Sequence, residues 1–364
     1  MKIRESNLEI LRIVAMIMIV ALHAVTQSNV LELQEVLSTN WLISAFARTG
    51  GRMAVTVFII IGAWFLVDGI FKMERIARIF LQTIFWGGVI VIILTMFGSS
   101  FSLKNHIVWL FPITMRSEWF VSFYIVLLFI SPYLNQFFKL KEFGQGFLLV
   151  ILTYITVIMP TLMIGKEAAY YSTLLYMIYI YLLTGWIKHH LHFLPFTQSF
   201  YKMSVLAIIC YLGLYAFSVL CEYCLNIFPE YLFLNNLAFY YSDHFETVPS
   251  IICAYSWFFA FYNLHIKSNK FINYFSSLTL GVYIIHQVPV FYSYLWIDIF
   301  CLPSFATLDC WPLYLLSVIL TIYIVASLMD IIWISFVAKI VFKILNIKQI
   351  CQCMDERINK AFLL

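Results

Sequence analysis

Long apolar runs separated by short polar intervals repeat along all 364 residues of the chain. Each run approaches about 20 residues, the length a helix needs to cross a hydrocarbon core. Read one by one, the runs predict helices near 8–28, 46–68, 79–98, 119–138, 146–164, 170–187, 203–224, 248–265, 275–297 and 312–336. The longest polar intervals lie around 29–45, 99–118, 225–247 and 298–311. About ten crossings bring both termini back to the same side. The expected class is an all-α, polytopic integral membrane protein.

Composition supports this reading. The chain is 63% hydrophobic and 11% charged, more apolar surface than a soluble domain of this size can cover. Aromatic residues make up 19%, with Trp and Tyr near segment ends, as in interfacial belts.

Charge supplies a direction. Arg48, Arg52, Lys104, Arg116 and Lys166 fall on one side of the predicted segments. Apart from Arg12, the other basic residues, among them Lys2, Arg4, Lys72, Arg75, Arg78, Lys188, Lys270 and Lys343, fall on the opposite side. The positive-inside rule then puts both termini in the cytoplasm; the expected location is the plasma membrane, crossed in multiple passes. The net charge of +4 is a topology signal. No clustered basic stripe points to nucleic acid.

The first run is too long for a cleavable leader and lacks a small-residue cleavage site. Residues 1–345 are expected to form one membrane domain, and 346–364 a short cytoplasmic tail able to form an amphipathic helix.

The candidate chemistry starts in LEILRIVAMIMIVALHA, where Arg12 and His23 lie eleven residues apart on one apolar helix. Eleven residues are about three turns, so both side chains face the same way, about 16 Å apart along the axis. Ionisable groups in a bilayer are costly and point to function. Simpler duties exist for each residue. Arg12 can snorkel to the interface and pair with Glu9 at i−3, and His23 can be a hydrogen-bonded core residue.

The spacing Glu9-x-x-Arg12-x(10)-His23 resembles the start of the acyltransferase-3 family of membrane proteins. Further segments strengthen the resemblance. AVTVFIIIGAWFL, residues 54–66, is similar to the family's second helix, although Gly62-Ala63 stands where Ser-Gly is usual, so no role of that serine carries over. Arg75 and Arg78 match the Arg-x-x-Arg of the first inner loop. EWFVSFYIVLLFISPYLN matches at Trp119, Phe120, Tyr124, Pro132 and Asn135. SSLTLGVYIIHQVPV matches at Ser277, Gly281, Tyr283 and His286.

The resemblance implies an O-acyltransferase that moves an acetyl group from cytoplasmic acetyl-CoA to a hydroxyl of a cell-envelope carbohydrate at the outer face. Catalytic duty would fall to His23, with Arg12, Glu9, His286 and Tyr283 as further candidates. Arg75, Arg78, Arg12 and Trp119 would bind the donor. Arginine suits the phosphates of CoA, and Arg75 and Arg78 as i,i+3 neighbours can face one ligand; anchoring beside anionic lipid is the plainer duty of that pair. His23 either takes a proton from the acceptor hydroxyl or accepts the acetyl group itself, and both routes fit the residues. Tyr283, one turn from His286, can donate a hydrogen bond to an oxyanion.

A transporter or export component for polysaccharide or its lipid-linked precursor is the alternative class. It predicts internal repeats with broken helices in matching positions, and Pro132, Pro160 and Pro289 show no such symmetry. Other features give less. Glu118 and Arg116 stand where an acceptor would approach, and Asp243, His244 and Glu246 offer sugar-binding groups in an outer loop. Lys188, His189, His190 and His192 read as an inner charge patch. Eight cysteines show no zinc spacing, no metal is expected, and Cys301 with Cys310 flank an outer loop where a disulfide is conceivable. Oligomeric state is not legible in the sequence.

Overall fold

A computed structural model describes residues 6–98, 108–115, 118–164, 172–231, 233–289 and 291–362. These residues form helices joined by turns and short helical pieces, and no strand occurs among them. The longer helices are α1 Ser6–Thr26, α2 Thr39–Leu66, α3 Met73–Met96, α4 Trp119–Leu134, α5 Glu142–Thr153, α6 Thr173–His189, α7 Phe200–Ile227, α8 Val248–Tyr262, α9 Lys270–Ser277, α10 Thr279–Gln287, α11 Trp311–Ile332 and α12 Ile347–Phe362. Helix α1, α2, α3, α7 and the helical stretches 119–139, 142–162 and 311–344 are long and apolar enough to cross a membrane. Helix α6 has 17 residues and α8 has 15, and the predicted run 275–297 is split.

That split has a local cause. Leu278 separates α9 from α10. Helix α10 then stops at Gln287, because Pro289 disfavours helical backbone at Val288, which adopts φ −55° and ψ 122°. A π-helical turn, Tyr294–Ile299, follows. Pro160 acts similarly after α5: the π turn Tyr154–Ile158 ends two residues before it, absorbing the hydrogen bond that proline cannot make.

Helix α1 is central. It packs against α2 most extensively and also touches α8, α9, α10 and α11. Its contact with α2 is close because Gly51 presents no side chain, and a Cβ there would lie 2.2 Å from the Cβ of Leu22. Small residues at such crossings let backbones approach and gain dispersion contacts, the main attraction between helices in lipid.

Helix α1 runs parallel to the α9–α10 pair, stitched along its length by polar contacts. Ser6 Oγ donates to Asn273 Oδ1 at 2.8 Å near the N-terminal end, and Gln27 Nε2 donates to Gln287 Oε1 at 3.2 Å near the C-terminal end.

The C-terminal segment is helical, as its amphipathic pattern predicts, and it is docked. Asp355 accepts from the Met73 backbone N–H at 2.6 Å, Asn359 Nδ2 donates to the Phe71 carbonyl at 3.2 Å, and Phe362 packs edge-on against Tyr133. It clasps the start of α3, next to Lys72 and Arg75.

Candidate active site

Helix α1 places two ionisable groups, Glu9 and Arg12, toward its N-terminal end and one, His23, near its C-terminal end. Glu9, 3% exposed, accepts two hydrogen bonds from Arg12 Nη1, at 3.0 and 2.9 Å. Its Oε2 also accepts from Ser276 Oγ of α9. The i,i+3 pair is therefore tied to a second helix, which fixes the guanidinium beyond what snorkelling would do. Arg12 also lies 5.9 Å from the centroid of the Phe65 ring.

Tyr124 of α4 comes within electrostatic reach of both Arg12 and Arg75. The Tyr124 hydroxyl also faces Gly62, where a Cβ would meet it at 3.1 Å. Arg12 and Arg75 therefore both contribute to the field at the Tyr124 hydroxyl. Arg78 does not join them. It pairs with Glu74 at 2.9 Å and covers the Phe342 ring at 5.0 Å.

At the other end of α1, His23 meets His286 of α10. His23 Nδ1 lies 3.0 Å from His286 Nε2, and the ring centroids are 5.2 Å apart. His286 Nδ1 in turn lies 2.6 Å from the Val282 carbonyl oxygen. A carbonyl only accepts, so His286 Nδ1 carries a hydrogen. With His286 neutral, its Nε2 is then a bare acceptor, and His23 Nδ1 must donate to it. This leaves the lone pair of a neutral His23 on Nε2. His286 is 1% exposed, whereas His23 is only partly buried. The pair is therefore directional: His286 orients, and His23 keeps the atom free for chemistry.

Three more groups stand near this pair. Tyr283, 3% exposed, meets the His286 ring edge-on at 6.0 Å and Phe120 at 5.5 Å. Arg52 lies within electrostatic reach of His23 and Tyr283, and its Nε is buried with no hydrogen-bond partner among the described residues. Glu118, just before α4, is 4% exposed and has a buried Oε2 likewise without a partner. Burial pushes the Glu118 carboxyl well above the ordinary carboxylate range.

Behind His286 lies a crevice of about 290 Å³ lined by Ile90, Leu94, Phe291, Leu295, Ile322 and Met329. The side chains on that side of His286 are almost all apolar.

Two ionisable residues inside predicted runs are not singled out by the sequence. Arg52, partly buried with a buried Nε, reads as an outer charge, although its position inside the run 46–68 is itself a signal. Asp330 lies inside the run 312–336 and is fully buried. Its Oδ1 accepts from Gln82 Nε2 at 2.7 Å and Trp86 Nε1 at 2.9 Å. Gly281 makes room for this carboxyl: a Cβ there would fall 2.0–2.5 Å from its atoms.

The remaining candidates are dispersed. Trp119 stacks on Phe245 at 5.9 Å with an interplanar angle of 8°. It sits beside Phe120 and the histidine pair's end of α4, about 7.5 Å along the helix from Tyr124. Lys188 and His189 both pair with Asp68, a local charge patch. Arg116 lies outside the described residues. Cys301 and Cys310 are free thiols, and no metal-ligating cluster occurs among the described residues.

A family model described as an acyltransferase domain matches residues 5–330. The chain belongs to the acyltransferase-3 family and is a membrane acyltransferase. No curated protein and no solved structure matches it.

Proposed function

We propose that this enzyme, in the plasma membrane, transfers an acetyl group from cytoplasmic acetyl-CoA to a hydroxyl of a cell-envelope carbohydrate at the outer face, with His23 as general base. The observation that carries the reading is the hydrogen-bond chain from the Val282 carbonyl through His286 to His23, which leaves Nε2 of His23 open.

A sugar hydroxyl is a poor nucleophile at neutral pH. As its oxygen attacks the thioester carbonyl, Nε2 of His23 takes the hydroxyl proton. The resulting imidazolium is held by its Nδ1–H bond to His286, whose own N–H is polarised by the Val282 carbonyl. Negative charge grows on the carbonyl oxygen, and Tyr283 and Arg52 are the nearby groups suited to stabilise it. Collapse of the tetrahedral species breaks the carbon–sulfur bond, and the proton passes from His23 to the departing thiolate. The products are an acetyl ester and CoA thiol, so protons balance without a further base. A positioned base of this kind contributes about 10²–10⁴-fold.

Arg12 and Arg75 fit the phosphate end of the donor. Both lie within electrostatic reach of Tyr124, and Arg12 is about 16 Å along α1 from His23, a span that a pantetheine arm can bridge. In this reading Arg78 is left to Glu74 and Phe342.

The test is acetyl transfer by the purified protein in lipid nanodiscs. His23→Ala should abolish transfer with expression and thermal stability retained. A fully active His23→Ala would refute the assignment. Comparing O-acetyl esters in envelope glycans of wild-type and deletion cells identifies the acceptor class.

A further inference from the structure

Resting on that reading, we infer that a polar pocket at the His23 end of the bundle binds a sugar unit of the acceptor next to the one that reacts. The inference commits to an acceptor that is an oligomer of uncharged or amino sugars.

The pocket has a volume of about 430 Å³, within the range of small-ligand sites. It lies between the segment after α1, the start of α2, the end of α7 and residues 235–244. Its position relates it to the histidine pair. Arg48, which lines it, is one turn before Arg52 on the same face of α2, about 6 Å along the axis. Arg52 follows Gly51, whose Cα packs against Leu22, the neighbour of His23, so the two residues stand at one level of the bundle. The pocket therefore lies a turn beyond the reacting centre, where a neighbouring sugar of a chain would fall.

Its chemistry selects the sugar. The exposed amides of Asn235 and Asn236 supply donors and acceptors for sugar hydroxyls, while the buried Phe239 and Tyr240, covered by Arg48 and His244, form the floor behind them. Arg48 is the cation that would favour an anion, but it is already engaged. Its Nε and Nη2 hold both carboxylate oxygens of Asp243, and its guanidinium lies 4.0 Å from the Phe239 ring centroid. Glu32 and Glu222 add two more carboxylates to the lining. Three acidic groups against one arginine repel uronates and phosphodiester polymers, while hydroxyls and a free amine are welcome.

The experiment uses the full protein in nanodiscs with three trisaccharides: N,N′,N″-triacetylchitotriose as the neutral probe, chitotriose as the amine-bearing probe and trigalacturonate as the anionic probe. Binding is measured by calorimetry, and acetyl transfer to trimers is compared with transfer to the corresponding monomers. A neutral or amino trimer should bind, trigalacturonate should not, and KM for the trimer should fall below that of the monomer by about 10-fold. Asn236→Trp, an exposed position, should erase the trimer advantage and leave acceptor-free acetyl-CoA hydrolysis unchanged. Glu32→Lys combined with Glu222→Lys should admit trigalacturonate.

Absence of binding by the neutral and amino trimers, equal or tighter binding of trigalacturonate, or a trimer advantage that survives Asn236→Trp overturns the inference. His23-dependent acetyl-CoA turnover with transfer to no sugar, whatever the binding, strikes the carbohydrate reading on which it rests.

Discussion

His23 Nδ1 and His286 Nε2 lie 3.0 Å apart although 263 residues separate them in the chain. The two residues are unequal partners, because only His286 is backed by a carbonyl. His23→Ala should lower acetyl transfer by about 10²–10⁴-fold. His286→Gln should cost less, on the order of 10–10²-fold, as expected of a group acting through its neighbour. Single-turnover rates at saturating acetyl-CoA measure both, and equal losses would contradict the division of labour.

Arg75 and Arg78 should separate in donor binding. Arg75→Ala should raise KM for acetyl-CoA by about 10-fold, the loss of one charge-assisted phosphate contact. Arg78→Ala should change it by less than about 2-fold, because the half-exposed Arg78–Glu74 pair contributes little. Initial rates over a range of acetyl-CoA concentrations distinguish the two.

Gly281→Ala should destabilise the fold by about 1–3 kcal/mol, since the new methyl group collides with the Asp330 carboxyl. Asp330→Ala relieves that collision but leaves the Gln82 and Trp86 N–H groups buried without their acceptor, at a cost of about 1–3 kcal/mol. The double variant should therefore be more stable than the sum of the single effects. Thermal unfolding in detergent reads the cycle; strict additivity would mean that the two residues do not meet.

The Glu118 carboxyl holds its proton to higher pH in the folded protein than in the unfolded chain. The folded state therefore binds more protons between the ordinary carboxylate value and the raised one, and stability must fall as pH rises through that window. Glu118→Gln keeps the shape of the protonated acid and has no charge to bury. The difference in Tm between Glu118→Gln and the wild type should grow with pH. A constant difference would show that Glu118 ionises freely.

Cys310 and Cys353 are exposed free thiols on the two sides of the expected topology. An impermeant maleimide should label Cys310 in intact cells and Cys353 only after permeabilisation. The reverse pattern would invert the topology.

Much of the fold is legible in the chain because its causes are local. Apolar runs of spanning length, the Glu9–Arg12 pair at i−3 and the shared face of Arg12 and His23 follow from helix geometry and the cost of exposing polar groups to lipid. Pro289 likewise announces where α10 must stop, although the continuous apolar run 275–297 masks it. Tertiary structure alone decided which helix faces meet. Only the parallel packing of α1 on α9 and α10 brings Ser276 to Glu9 and His286 to His23. Only the approach of α2 to α1 at Gly51 brings Arg52 to the same level, and only the contact of α11 with α10 and α3 gives Asp330 its partners. Arg75 and Arg78 share a local spacing that suits one ligand, yet the C-terminal helices and Glu74 draw Arg78 away. The sequence by itself determined the helices and the candidate base. The partner that orients the base, and the groups around it, were decided by contacts between helices, whose energies depend on surfaces that sequence periodicity does not pair.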